Sequence, residues 1–153
     1  MILNICGKPS KVSKQQIANA VYFYAEYLMS ERLLKNIELE IVLEKGLMAS
    51  ERDQAYCVNL SENKTAREFE ISIDAGLGKR SMLLALAHEM VHVKQYALGE
   101  LRYNRRQRLH RFQGISYHPN YLYWEQPWEI EAFGRELGLY RMFTESEKRK
   151  KVK

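Results

Sequence analysis

The sequence contains little cysteine, proline or glycine: 2 Cys, 3 Pro and 8 Gly among 153 residues. Cys6 and Cys57 form neither a disulfide framework nor a CxxC pair, which favours a reducing, cytoplasmic setting. No apolar run approaches the roughly 20 residues of a membrane helix, so a transmembrane span is excluded. Lysines follow the short apolar start rather than precede it, so we expect no signal peptide.

The chain also lacks internal repeats and a linker rich in Gly, Ser or Pro, so we expect one domain over 1–146 and a basic flexible tail over 147–153. It is 46% hydrophobic and 28% charged, which is typical of a folded domain and argues against global disorder. The net charge of +5 is mild and permits acidic partners without requiring them.

The apolar pattern changes along the chain from a helical period to a two-residue alternation and back. These periods predict amphipathic helices and half-buried strands, respectively. In chain order we expect a helix over 13–36, strands over 37–44, 55–60 and 68–74, and helices over 80–98 and 127–143. The order predicts an α+β fold, with an N-terminal packing helix against a mixed sheet of three or more short strands.

Several local signals set the ends of these elements. Ser13 and Gln16 are spaced as a capping box, and glycines at 76 and 78 break the third strand. Gly99 is placed to stop the second long helix. Turn residues at 61–64 suggest that the second and third strands form a hairpin. The region 99–124 has no clean period and is expected to be an irregular loop.

The helix over 80–98 carries His88-Glu89-Met90-Val91-His92, an HExxH motif. Residues i and i+4 share a helical face with Cβ atoms about 6 Å apart, so two imidazoles can converge on one zinc ion. Glu89 lies one residue further round the helix, where its carboxylate can hold a water on the zinc and take its proton. The motif therefore predicts Zn²⁺ bound by His88 and His92, with Glu89 as the general base.

Residues 83–95, LLALAHEMVHVKQ, resemble the active-site helix of the zincin metallopeptidases, including small intracellular SprT-like proteins. The resemblance implies a zincin-like fold in which a C-terminal helix carries a glutamate ligand. It also implies a zinc metalloendopeptidase that hydrolyses peptide bonds. The metzincin subfamily is excluded, because its HExxHxxGxxH extension needs Gly and His where this chain has Gln95 and Leu98.

A zincin needs a third ligand. The segment 129–132 matches the ExxA setting of the gluzincins, and we favour Glu129 because a helix places a ligand more rigidly than a loop. Glu131 remains an alternative, as do His110 and His118, since the SprT-like resemblance implies a further histidine.

The chain departs from the gluzincin pattern just beyond this segment. Phe133 and Gly134 stand where gluzincins often carry an acidic partner for a histidine. If Glu129 is the ligand, another group must orient the imidazole.

The resemblance also implies a protein or peptide substrate that binds by strand addition at a sheet edge, for which 68–74 is the candidate. The transition state needs an oxyanion donor besides zinc. The sequence leaves four candidates for that donor: Tyr117, His118, Tyr121 and Tyr123.

Residues 102–111 contain five arginines, and aromatic residues follow soon after. Arginines with interleaved aromatics suit single-stranded nucleic acid, through phosphate pairing and base stacking. A solvated charged surface and a cleft wall that selects acidic peptides are the alternatives for this loop. A second hypothesis for the whole chain is therefore a nucleic-acid-binding module with a structural or vestigial zinc. The sequence does not indicate the oligomeric state.

Overall fold

The computed structural model describes residues 1–50, 54–61, 65–104, 106–118 and 120–151. In chain order the elements are β1 (Ile2–Cys6), α1 (Lys14–Leu28), α2 (Glu31–Leu34), β2 (Glu38–Glu44), α3 (Leu47–Ser50), β3 (Ala55–Asn59), β4 (Glu68–Asp74), α4 (Lys79–Ala97), β5 (Leu101–Asn104), β6 (Leu109–Phe112), β7 (Ile115–Tyr117), a 3-10 helix (Tyr123–Glu125) and α5 (Pro127–Lys151). The described residues form a four-stranded mixed sheet and a three-stranded antiparallel sheet, so the predicted α+β class is confirmed.

The helix predicted over 13–36 is two helices. α1 begins at the predicted capping box, in which Ser13 Oγ accepts from the Gln16 backbone N–H at 3.2 Å and the Gln16 side chain accepts from the Ser13 N–H. Its buried stripe is the predicted one: Ile17, Ala20, Val21, Tyr24 and Ala25. The chain leaves helical geometry at Met29, and the side chain of Ser30 then caps α2.

The larger sheet has the strand order β1-β2-β4-β3. β1 and β4 both run parallel to β2, whereas β3 pairs antiparallel with β4 as the predicted hairpin requires. The turn predicted at 61–64 falls largely on 62–64, outside the described residues. The sequence analysis missed β1, because five residues give too short a pattern and its partner lies far along the chain.

The prediction that 68–74 forms a sheet edge is wrong. This segment is β4, which pairs with β2 on one side and β3 on the other. Its four residues from Ile71 to Asp74 are all buried, as expected for a central strand. The edge nearest α4 is β3 instead, since the described residues place β3 at the end of the strand order.

The region predicted to be irregular is the smaller sheet, in which β5, β6 and β7 pair antiparallel in chain order. Leu101 and Phe112 lie opposite each other in the register and are buried against Trp128. Most of the other residues of this sheet are at least partly exposed, so no apolar alternation marks the strands. Positive φ angles at Arg108 (52°) and Gln113 (47°) belong to the tight turns between them.

Most of α4 is buried, and it packs against α1, α5, β3 and β4. In the turn that precedes it, Asp74 Oδ1 accepts from the Gly76 backbone N–H at 2.7 Å. Gly99, at φ 70°, ends the helix as predicted. Tyr24 of α1 donates through Oη to the Leu83 carbonyl of α4 at 3.1 Å. The helix that carries the HExxH motif is therefore fixed from several sides.

α5 begins at Pro127 as predicted and passes the predicted end near Phe143 to reach Lys151. Beyond Phe143 the helix is largely exposed, and Lys150 pairs with Glu147 at 2.9 Å across one turn. The flexibility of 147–153 stays a prediction, and residues 152–153 lie outside the described part. Among the described residues, no helix combines the length and apolarity needed to cross a bilayer.

Candidate metal centre

Two helices bring three side chains together. α4 presents His88 and His92 from one face, and the first turn of α5 presents Glu129. The two Nε2 atoms lie 3.2 Å apart, and they lie 3.3 Å (His88) and 3.4 Å (His92) from the Glu129 carboxylate oxygens. All three residues are buried, and they form a group that could hold a metal ion.

The proton of the His88 ring is directed away from this group. Its Nδ1 lies 3.0 Å from Oε2 of Glu136, two turns further along α5 than Glu129. An ionised carboxylate only accepts, so Nδ1–H donates to it and Nε2 keeps a lone pair. The ring also packs edge-on against Phe133, with centroids 4.5 Å apart. Glu136 therefore orients His88, which is the role that the missing acidic residue at 133 or 134 leaves open.

His92 is fixed in the same way by Gln95. The Gln95 amide nitrogen donates to the Trp128 carbonyl at 2.9 Å and to the Glu131 carboxylate at 3.1 Å, which sets the orientation of the amide. Its oxygen, Oε1, therefore faces His92 Nδ1 at 2.9 Å and accepts a hydrogen bond from it. As in His88, the Nε2 atom of His92 then carries a lone pair that is available to a metal ion.

Three acceptors thus converge on one point, because both Nε2 atoms turn lone pairs towards Glu129. Ligands bound at about 2.0–2.1 Å around a tetrahedral ion are about 3.3–3.4 Å apart. The two Nε2 atoms are 3.2 Å apart, and each lies at about that spacing from one Glu129 oxygen, Oε2 for His88 and Oε1 for His92. The three side chains are therefore close enough together to hold a metal ion between them.

The charges in this cluster perturb each other. Burial lowers the pKa of His88 and of His92, but hydrogen bonding to Glu129 and the charge of Glu89 raise both above the ordinary value. Burial raises the pKa of Glu129, but the two imidazoles outweigh burial and hold it well below its usual range. The carboxylates therefore favour a positive charge at the two imidazoles. Protons and a metal ion would compete for the Nε2 atoms.

Glu89 is buried and lines the same pocket as the cluster, which has a volume of about 290 Å³. The pocket reaches β3, where Ala55, Tyr56 and Cys57 form part of the wall. Burial raises the pKa of the Cys57 thiol, and the negative charge of Glu89 raises it further. Glu89 is therefore placed between the metal cluster and the edge strand.

The three alternative ligands are not brought into the cluster. Glu131 instead pairs with Lys94 at 2.8 Å and supports Gln95. His110 lines the pocket, but its ring stacks on Trp128 with centroids 5.0 Å apart. His118 is exposed.

Of the four candidate oxyanion donors, Tyr123 lines the pocket, and its Oη donates to Glu129 Oε2 at 2.9 Å. Tyr117 packs edge-on against Trp128, and Tyr121 is exposed like His118.

Sequence reasoning missed Gln95 and Glu136. A signal for each was present in the spacing, because Gln95 follows His92 by three residues and Glu136 follows Glu129 by two helical turns, so each lies near the group it serves. The pairing across helices is what the sequence could not give, since it depends on how α4 and α5 pack.

Comparison with protein-family models, curated proteins and solved structures finds no match for this chain.

Proposed function

We propose that this protein is a zinc-dependent metallopeptidase of the zincin type, with a gluzincin-like ligand set. The observation that carries the proposal is the convergence of His88, His92 and Glu129, whose facing atoms lie 3.2–3.4 Å apart, in the pocket that Glu89 also lines. Two imidazoles and a carboxylate form the ligand set of catalytic zinc in several peptidases.

The openness of the site supports catalysis over a structural role. In the described residues the cluster has three members and faces a pocket, whereas structural zinc is usually closed by four protein ligands that are often cysteines. Neither Cys6 nor Cys57 belongs to the cluster. The hypothesis of a structural or vestigial zinc has no comparable support.

A bound zinc ion would supply a water of lowered pKa and polarise the substrate carbonyl. In our proposal, Glu89 takes the proton of the attacking water as oxygen adds to the carbonyl carbon. Glu89 then delivers that proton to the leaving nitrogen as the C–N bond breaks. Gln95 and Glu136 hold the two imidazoles in the tautomer that keeps Nε2 available.

The substrate class follows from the edge strand. β3 has an unpaired side in the described part of the sheet, and Ala55, Tyr56 and Cys57 bring it to the wall of the pocket. An extended polypeptide can add to such an edge through main-chain hydrogen bonds. This placement supports a protein or peptide substrate, which would pass between β3 and the HExxH helix.

Tyr123 is our candidate for the oxyanion donor. Its hydroxyl is already within 2.9 Å of Glu129 Oε2 in the pocket, which places a neutral donor beside the metal cluster. The negative charge that develops on the carbonyl oxygen would be stabilised by such a donor.

The test is the Glu89→Gln variant, assayed for zinc content and for cleavage of fluorescein-labelled casein. We expect zinc to remain bound and cleavage to fall by at least about a hundredfold, since a general base contributes about 10²–10⁴-fold. Tyr123→Phe should lower kcat in the same assay and keep zinc. Glu145→Gln, an exposed position on α5, is the matched control and should be unchanged.

Wild-type cleavage rates in zinc-loaded Glu89→Gln would overturn the role of Glu89. A Tyr123→Phe variant with wild-type kcat would overturn the role of Tyr123. If zinc-loaded wild type cleaves neither casein nor a mixture of quenched peptides, the peptidase proposal itself fails.

A further inference from the structure

All of the net charge of this protein lies in one segment. Residues 101–124 contain five arginines and no Lys, Asp or Glu. Without those five, the 24 Lys and Arg of the chain become 19, which equals its 19 Asp and Glu. The segment coincides with the smaller sheet and the connection to the 3-10 helix.

The four arginines of this segment that the structure describes are exposed, and no acidic partner contacts them within the described part of the chain. Arg105 lies outside the described residues, and the other four, Arg102, Arg106, Arg108 and Arg111, are all exposed. The ion pairs found in the described part of the chain involve none of them. The positive charge is therefore directed outward and is not neutralised by the protein.

The register places two of these charges side by side. Arg102 of β5 lies directly opposite Arg111 of β6, and Ser116 of β7 is the next residue across. Directly opposed residues share a face of an antiparallel pair, where like charges destabilise the sheet. An arrangement that is unfavourable in the free protein becomes favourable when a polyanion covers it.

This arginine face, formed by Arg102, Asn104, Leu109, Arg111 and Ser116, is separate from the metal pocket. Leu101 and His110 belong to the opposite face of the sheet and line the pocket. A peptide held in the pocket would therefore lie on the other side of this sheet from the arginines, which favours a separate ligand for the arginine face.

We propose that the arginine face binds the sugar-phosphate backbone of nucleic acid. Its guanidinium and hydroxyl groups can hydrogen-bond phosphate oxygens, whereas the Asn104 amide is already bonded within the turn after β5. A protein partner would need apolar or aromatic anchors at the interface centre. The apolar residue of this face, Leu109, is half-buried and lies at the end of the strand pair beside the turn. Tyr103, the aromatic residue of β5, belongs to the opposite face, where its ring lies against His110, so it does not provide a stacking platform on the arginine face. Because phosphate contacts carry no base information, we expect little preference for base sequence.

The test is fluorescence anisotropy of the full chain with a short fluorescein-labelled DNA, single-stranded and duplex, at increasing KCl. We expect the logarithm of the association constant to fall linearly with the logarithm of salt, because each neutralised phosphate releases counterions. Arg102→Gln/Arg111→Gln should weaken binding about tenfold and reduce the slope by about 1.4 for single strands and about 1.8 for duplex.

The matched control is Lys79→Gln/Arg80→Gln, which removes the same charge from the exposed start of α4. Its slope should stay close to that of wild type. If the first double variant loses its circular dichroism signal, Arg102→Gln alone provides the independent change and should reduce the slope by about half as much.

Three results would overturn the proposal: equal weakening by the two double variants, binding that does not depend on salt, or no binding. If polyglutamate displaces the labelled DNA as effectively as unlabelled DNA does, the proposal of nucleic acid as the ligand is overturned in favour of acidic polypeptides. The measurement does not depend on peptide hydrolysis, so its failure leaves the peptidase proposal intact, and failure of the peptidase proposal leaves the arginine face intact.

Discussion

The charged side chains of the metal cluster and those of the arginine face differ in burial and in their contacts with the rest of the protein. In the cluster, His88, His92 and Glu129 are buried and each is oriented by another side chain of the protein. On the arginine face, Arg102 and Arg111 are exposed and have no acidic partner in the described part of the chain. In our two proposals, the cluster holds a small cation and the arginine face binds an extended anion.

This difference follows from the energetics of burial. A buried polar group without a partner costs about 1–3 kcal/mol, so buried polar groups are expected to be hydrogen-bonded. The neighbours of a buried imidazole therefore indicate which of its ring nitrogens donates a hydrogen bond. An exposed guanidinium is stabilised by water and needs no internal partner. The chemistry of a buried site can therefore be inferred from its hydrogen bonds and ion pairs. The ligand of an exposed patch has to be inferred from the distribution of its charged residues.

The largest expected effect is a difference in zinc affinity between variants of the two glutamates in the first turn of α5, Glu129 and Glu131. Glu129→Ala removes a ligand and should reduce zinc affinity by more than about a hundredfold, beyond the range of supporting residues. Glu131→Ala removes no ligand, but it removes the support of Gln95 and the ion pair with Lys94, and it should reduce zinc affinity about tenfold. Competition with a fluorescent zinc chelator measures both, and equal losses would contradict the assignment of Glu129.

A smaller effect is expected at Glu136, which contacts His88 and not the centre of the cluster. Glu136→Ala should reduce zinc affinity about tenfold to a hundredfold, because the ring loses the acceptor that fixes its tautomer. Glu145→Ala, an exposed carboxylate further along α5, serves as the control. Unchanged affinity in Glu136→Ala would show that the imidazole does not need this partner.

The smallest effect concerns the arginine face in the absence of ligand. Arg102→Gln/Arg111→Gln removes an opposed like-charge pair, so added salt should stabilise wild type more than the variant, by about 0.5 kcal/mol. Urea unfolding at low and high salt measures the difference. A variant that gains as much from salt as wild type would show that the two charges do not repel each other appreciably.

The fold could be predicted where one face of an element is buried and the other is not. α1 and β2 carry such a pattern of burial, and β4 alternates in sequence although its second half is buried on both faces. The positions of these elements and of α4, which is mostly buried, were predicted to within a few residues, apart from the break at Met29. The smaller sheet has few buried residues, chiefly Leu101 and Phe112, so its strands have no readable period. Strand order also escaped prediction, since it depends on pairing between distant segments.

The candidate site divides in the same way. The spacing of His88, Glu89 and His92 within one helix follows from sequence alone, and the ExxA setting pointed to Glu129. The partners of the imidazoles required the packing of α4 against α5, which brings Glu136 to His88. Sequence therefore identified the groups for chemistry, and the structure identified what orients them.

The most direct test of the central claim is a crystal structure of the zinc-loaded protein with anomalous data at the zinc edge. We expect one anomalous peak at about 2.0–2.1 Å from Nε2 of His88, Nε2 of His92 and the carboxylate of Glu129. A zinc-loaded crystal without a peak at these three atoms, or with the peak on His110 instead of Glu129, would contradict it.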